Sequence, residues 1–293
     1  MKREGATRTI TDARIGTAMR LAETRSDALV TTDALAKAVG LSKFHFVRLF
    51  HDQAGETVGD YIRRVRLDDA AMRLRWSSES IVSIAMSVGY GSQAAFTRAF
   101  STRFGRSPAS YRRSSEPWTS YPEDERTVRA VTVRRFEVFA CLAHRYFGPY
   151  ERAPERWRHF VGHLPVAVTA SPDTRYINLS YDDPRITPPD QIRHDCCVVV
   201  SGRADGLAGA GLQAMRTTPG LYAGSLHRGS DATVPATYGL ILDRWLPAQS
   251  RYQVRGDVGV MEIYASGASL PLSQTCACEV MMPVYSGGPP QPA

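Results

Sequence analysis

Two sets of side chains, fifty positions apart, have the types and spacing that read the edges of base pairs. Lys43, Phe44, Val47, Arg48 and His51 share one helical face, and Gln93, Ala94, Thr97, Arg98 and Ser101 share the same face of a second copy. Arg pairs bidentately with guanine O6 and N7, Gln pairs with adenine, and Ala94 or the Thr97 methyl suits a thymine methyl. The competing assignment for Arg48 and Arg98 is an ion pair within the fold; for Lys43 and Gln93 it is plain solvent exposure. A third candidate lies far downstream. Glu262 sits in a strand-like run, Met261-Glu262-Ile263-Tyr264, where a carboxylate is costly unless paired. Its partner is either a ligand cation or an internal Arg such as Arg134 or Arg244. Tyr150, Tyr181, Tyr222, Trp245 and Tyr264 supply aromatic faces suited to a flat or cationic ligand. Core packing is the competing role for Trp245, as for Trp157.

The elements that must position these groups are legible as repeats. Leu35-Ala36-Lys37-Ala38-Val39-Gly40-Leu41-Ser42 is followed by Phe46, Arg48, Phe50, Gly55 and Tyr61. Ile84-Ala85-Met86-Ser87-Val88-Gly89-Tyr90-Gly91-Ser92 is followed by Phe96, Arg98, Phe100, Gly105 and Tyr111. Each copy reads as a helix, a turn at Gly and a Ser-capped second helix, which is a helix-turn-helix. Residues 10–24 carry a first helix. Thr31-Thr32-Asp33 supplies cap candidates for the helix that ends near Val39. Residues 57–75 form one long helix joining two three-helix lobes, which holds the two reading heads at a fixed separation.

Charge follows the repeats. Residues 1–113 hold 19 Lys and Arg against 11 Asp and Glu, and the remainder 17 against 18. The basic half is the repeated half, as contact with phosphates requires. No targeting segment or membrane span is expected, so the protein is expected in the cytoplasm. The five Cys do not form a secreted disulfide framework. Cys276 and Cys278, with His194 and Cys196, are a conceivable metal set without zinc spacing, so buried reduced thiols are expected and no metal. No Ser/His/Asp, P-loop or dinucleotide fingerprint implies a catalytic or cofactor site.

Residues 114–126, polar and with two Pro, read as a linker. Beyond it the texture changes to strands with helices between. Residues 128–143 are extended, 154–164 helical, and 176–181 and 197–200 extended; then 212–226 are extended, 234–246 helical, and 259–264 and 275–283 extended. Gly148, Pro154, Trp157 and Phe160 match Gly229, Pro235, Tyr238 and Ile241 at an offset of 81, and Tyr181 matches Tyr264 at 83. This second repeat gives an α+β domain of duplicated β-α-β-β units. The offset of 83 places Glu262 at the equivalent of Leu179. The tail from Ser286 is expected to fray.

The first repeat resembles the AraC/XylS transcription-regulator family over about residues 10–113. The pattern is L-A-x-x-x-G-L-S and R-x-F, then S-I-x-x-I-A-x-x-V-G-Y, F-x-R-x-F and G-x-S-P-x-x-Y-R. The resemblance implies a seven-helix domain with two reading helices in adjacent major-groove segments. By position, Phe44, Val47, Arg48, Gln93, Ala94, Ala95, Thr97 and Arg98 would face the bases of double-stranded DNA, with RNA polymerase as a further partner. Val47 and Ala94 stand where polar readers are often found.

Phe147-Gly148-Pro149-Tyr150, Tyr181-Asp182-Asp183-Pro184, Pro219–Ala223, Trp245-Leu246-Pro247 and Met261–Tyr264 resemble the GyrI-like effector-binding domain, and together the two halves give a Rob-like architecture. That resemblance implies a bulky, cationic or aromatic small-molecule effector. The expected organisation is a multidomain chain: an all-α DNA-binding domain at 8–113, a linker at 114–126 and an α+β effector domain at 127–286. The expected function is a non-enzymatic transcription regulator. The alternatives are a GyrI-like domain that hydrolyses a small molecule, with Glu262 and Tyr264 or Tyr150, or one that binds a partner protein.

Overall fold

The computed structural model describes residues 7–24, 30–114, 130–169, 174–200, 211–249, 251–265, 270–272 and 276–286. The expected linker lies outside these residues except for Ser114, and so does the expected frayed tail beyond Ser286. The described residues form two compact units.

The helical unit starts at Asp12. It contains α1 (Ala13–Thr24), α2 (Thr32–Ala38), α3 (Lys43–Ala54), α4 (Val58–Trp76), α5 (Ile81–Ser87), α6 (Gln93–Phe104) and α7 (Pro108–Arg113). The caps expected from the sequence are in place. The Thr31 hydroxyl accepts from Ala34 N at 3.1 Å, Ser42 from His45 N at 3.4 Å and Ser92 from Ala95 N at 3.2 Å. Gly40 and Gly89 lie between the paired helices with φ of 69° and 84°, a conformation that costs a residue with a Cβ. Each lobe is built around the same aromatic trio. Phe50 packs on Phe46 and Tyr61 at 5.7 and 5.4 Å, and Phe100 packs on Phe96 and Tyr111 at 5.4 and 5.3 Å.

The second unit is built on a ten-stranded sheet. Its elements are β1 (Arg8–Thr9), β2 (Thr132–Phe136), β3 (Ala140–Phe147), α8 (Ala153–Gly162), α9 (Val166–Thr169), β4 (Tyr176–Ser180), β5 (Arg193–Val199), β6 (Gln213–Arg216), β7 (Gly220–Gly229), α10 (Val234–Gly239), β8 (Tyr252–Val254), β9 (Val260–Tyr264) and β10 (Cys276–Ser286). A π-helical turn, Leu240–Trp245, prolongs α10. The strand order β6-β3-β5-β4-β9-β10-β7-β2 reads the same from both ends, with β3-α8-β4-β5 matched by β7-α10-β9-β10. Each half donates its leading strand to the other: β2 pairs with β7, and β6 with β3.

Strand β1 corrects the expected domain boundary. Residues 8 and 9 pair with Phe147 and Tyr146 at the outer edge of β3, so this segment belongs to the sheet and not to the helical domain. Ile10 is fully buried; its N–H donates to the Arg145 carbonyl at 3.0 Å. His144 Nε2 donates to the Ile10 carbonyl at 3.0 Å; burial, then neighbouring His159, pull its pKa down to about 4 and keep the ring neutral. A two-residue strand has no periodicity, which is why the sequence did not announce it.

Candidate functional site

In the helical unit, burial sorts the reading helices as the spacing predicts. Phe46 and Phe50 on α3, and Phe96 and Phe100 on α6, are fully buried. Lys43, Phe44, Val47, Arg48, Gln93, Ala94 and Arg98 are exposed, while Ala95 and Thr97 are intermediate. Phe44 is 83% exposed, a state that no internal packing explains. The side chains of Arg48 and Arg98 have no hydrogen-bond or ion-pair partner among the described residues. The stapling role considered for them falls to other arginines. Arg103 of α6 reaches the buried Asp68 of α4 at 2.6 Å, Arg64 holds Glu56 at 2.7 Å, and Arg73 holds Glu79 at 2.5 Å. Lys43 does have an internal partner, an exposed ion pair with Asp33 at 2.9 Å; such a pair is worth little and is readily exchanged for a phosphate.

In the sheet unit, strand alternation divides the expected ligand residues between two faces. Glu262 is directly opposite Asn178 across the β4–β9 pair, so both side chains leave the sheet on the face that carries α8 and α10. There the Glu262 carboxylate is enclosed by neutral donors. Oε1 accepts from the Tyr238 hydroxyl at 2.7 Å and from Ser180 Oγ at 3.4 Å. Oε2 accepts from the Tyr264 hydroxyl at 2.9 Å and from Asn178 Nδ2 at 3.3 Å. Trp157 of α8 stands edge-on to Tyr264 at 5.5 Å. Burial pushes the Glu262 carboxyl above its ordinary value, and the tyrosine hydroxyls only partly oppose that shift.

No arginine makes a hydrogen bond or ion pair with Glu262 among the described residues, although the charge of the buried Arg156 reaches it. Arg134 pairs with Glu279 at 2.9 Å. Arg156 of α8 is buried nearby and donates to the carbonyls of Pro149 at 2.7 Å and Tyr150 at 3.3 Å.

Leu179, expected as the equivalent of Glu262, lies on the opposite face in an apolar cluster with Ile177, Cys197, Tyr222 and Met261. With β3 matched to β7 at 81, the registers of β3 with β5, β5 with β4, β7 with β10 and β10 with β9 relate β4 to β9 by 84 positions and not 83, and a one-residue slip exchanges the faces. The residue in Glu262's place is therefore Asn178.

The other expected ligand residues divide likewise. Tyr264 shares the Glu262 face. Tyr150 is held by its hydroxyl to the Asp182 carbonyl at 2.7 Å and edge-on to His194 at 4.8 Å; the Glu262 charge reaches it and helps raise its pKa, after burial and Asp182. Tyr181 and Tyr222 pack on the opposite face. Tyr181 donates to Asp195 at 2.8 Å beneath the Arg145 guanidinium, and Tyr222 donates to the Thr218 carbonyl at 2.7 Å. Trp245 stacks on Tyr252 at 5.7 Å, apart from both groups. These three do not converge on Glu262. Tyr238, Asn178 and Ser180 do, and the sequence reading did not place them there. The signal for Tyr238 was available: it is the 81-offset mate of Trp157, the residue that covers Tyr264.

All five cysteines are buried and unbridged. Among the described residues no group of three or more His, Cys, Asp or Glu is arranged to hold a metal ion, and no helix is long and apolar enough to cross a membrane.

Comparison with known proteins assigns both units. A helix-turn-helix domain family matches residues 35–114, and the GyrI-like small molecule binding domain family matches residues 132–285. The transcriptional regulator Rob of Salmonella typhimurium is 42% identical over 95 residues, which is 32% of this chain and 32% of that protein. The right origin-binding protein of Escherichia coli K12 is 41% identical over the same length and shares. The regulatory protein SoxS of Escherichia coli K12 is 43% identical over 86 residues, 29% of this chain and 80% of SoxS. The chain thus spans about a third of the length of the first two relatives.

Proposed function

Because the chain belongs to the GyrI-like small-molecule-binding family and carries an AraC-type helix-turn-helix unit, we propose that it is a DNA-binding transcription regulator whose sheet domain senses a small cationic, aromatic molecule. The observation that carries the sensor reading is Glu262. A carboxylate only 8% exposed, hydrogen-bonded by neutral groups alone, Tyr238 and Tyr264 among them, with Trp157 edge-on to Tyr264, is suited to a cation. Aromatic faces add cation–π attraction to the carboxylate's charge.

For the helical unit, Arg48 and Arg98 supply base-edge contacts in double-stranded DNA, with Gln93 beside them. Phe44, Val47, Ala94, Ala95 and Thr97 supply apolar ones, and Lys43 contacts the backbone. The 19 residues of α4 make a rod of about 28 Å between the two lobes, which suits consecutive major-groove segments on one side of the duplex. The protein then acts in the cytoplasm, with RNA polymerase as a further partner.

A thermal-shift screen with cationic aromatic compounds and their neutral isosteres tests the reading. A ligand that binds only the folded state must raise the melting temperature. Cations alone should do so; equal shifts from neutral isosteres, or none from any cation, would remove the sensor assignment.

A further inference from the structure

Three histidines meet where the N-terminal strand docks on β3. The His144 ring lies 5.4 Å from that of His159 and 6.4 Å from that of His163, and His159 stacks on His163 at 4.2 Å. His159 and His163 are about one helical turn apart at the end of α8 and are exposed, whereas His144 is only 2% exposed. The cluster is not a product of the duplication. At the offset of 81, Ser225 stands for His144 and Leu240 for His159. The imidazoles are found in the half that receives β1.

In its neutral form the cluster holds that strand. His144 Nε2 donates to the Ile10 carbonyl at 3.0 Å, so Nε2 carries the proton of the neutral ring. Nδ1 is left with a lone pair, buried and without a hydrogen-bond partner. The Tyr146 hydroxyl meets His159 Nδ1 at 2.8 Å, and His163 Nδ1 donates to the His159 carbonyl at 2.7 Å. The other groups facing His144 supply no acceptor for Nδ1. Cys196 of β5, directly opposite, is a thiol whose pKa burial raises. Asp195 of β5 is held by Arg145 at 2.5 Å and Tyr181 at 2.8 Å. Arg8 of β1 lies over Phe147. Gly211 closes the far side: a Cβ there would meet His144 Nε2 at 3.0 Å and the Thr11 carbonyl at 3.1 Å.

Protons on this cluster work against the strand. An imidazolium at His144 presents a second N–H with no acceptor in a buried setting, and charges on His159 and His163 repel it and each other. Burial and then His159 hold the His144 pKa at about 4, against an ordinary 6.5, and burial and then His163 lower that of His159. A His144 ring released from Ile10 returns to the ordinary value. The docked state has the lower pKa, so docking is strongest above about 6.5 and weakens as the pH falls towards 4.

We propose that His144, His159 and His163 form an acid-sensitive clasp: protonation of the cluster releases β1 and Ile10 from the edge of β3, freeing the segment that runs into the helical unit at Asp12. The clasp does not depend on the effector reading of Glu262.

The test is hydrogen exchange of the full chain between pH 7 and pH 5. It is read on the Ile10 amide, which donates to the Arg145 carbonyl, with the amides of β4 as the reference. Values of about 4 docked and 6.5 released make opening about twentyfold easier at pH 5 than at pH 7. Protection of Ile10, corrected for intrinsic exchange, should therefore fall at least tenfold while β4 changes little. His144→Gln, whose amide can donate to the Ile10 carbonyl in place of Nε2, should keep the protection at pH 7 and flatten its fall. His159→Gln combined with His163→Gln, at two exposed positions, should carry the fall to lower pH. Constant protection in the wild type, an equal fall in β4, a fall retained in His144→Gln or an unchanged profile in the double variant would each overturn the clasp. If His144→Gln lacks the strand at every pH, the double variant decides alone.

Discussion

Replacing Glu262 by Gln changes charge with almost no change of shape, and the surrounding donors make the exchange feasible. The amide oxygen can take the place of Oε2, where it accepts from Asn178 Nδ2 and the Tyr264 hydroxyl. The new NH2 group then faces the Tyr238 and Ser180 hydroxyls, both of which can rotate to accept. A bound cation gains from Glu262 chiefly by charge, because the first contacts of the carboxylate are already occupied. With its centre about 5 Å away and an effective dielectric constant of about 20, the attraction is about 3 kcal/mol. Losing it weakens binding roughly a hundredfold, and at least tenfold if the ligand sits farther out. A neutral ligand of the same shape should bind both proteins alike.

The free protein should respond in the opposite sense. The folded state holds the Glu262 proton more tightly than the unfolded chain does, so its stability falls as pH rises from the ordinary carboxyl value of 4.5 through the raised folded value. Below that window the wild type and Glu262→Gln should melt together; above it the Gln protein should melt higher. Melting curves from acid to pH 8, with affinities for one cation and its neutral isostere, check both halves. Unchanged cation affinity together with a lower melting temperature at pH 8 would refute the reasoning, because it would mean that an internal cation already answers the carboxylate.

Arg48→Ala and Arg98→Ala should each weaken specific DNA binding by about 1–3 kcal/mol and non-specific binding much less, measured by fluorescence anisotropy on operator and random duplexes. An equal loss on both duplexes would make the residue a phosphate contact. Asp68→Ala removes the carboxylate that Arg103 holds and the weaker of the two beside Arg64, which keeps Glu56, and should destabilise the helical unit by about 1–3 kcal/mol, read by urea denaturation of a 12–115 fragment. That fragment should fold and bind DNA, since the aromatic trios and ion pairs described for the helical unit lie within it. Removing residues 1–11 should lower the melting temperature of the sheet domain, because β1 and the buried Ile10 are part of it; an unchanged melting temperature would show that the strand contributes nothing.

The helical unit was legible because its determinants are local. Helix period, Ser and Thr caps and left-handed Gly turns act over a few residues, and the repeated Phe46/Phe50/Tyr61 and Phe96/Phe100/Tyr111 spacing specified both lobes and the outward faces of α3 and α6. The sequence also determined that the second half is a twice-written strand-and-helix unit, and that Glu262 is its anomalous charge. Tertiary structure decided what that charge meets. Side chains alternate across a strand, so the single position between offsets of 83 and 84 exchanged Leu179 for Asn178 as the mate of Glu262. It also sent Tyr181 and Tyr222 to the far face. Loop insertions absorb such drifts without trace in the chain, and only hydrogen-bonded register between strands far apart in sequence fixes them. The same holds for Arg8–Thr9: two residues with no pattern of their own became a strand because the open edge of β3 offered backbone partners that the sequence does not display.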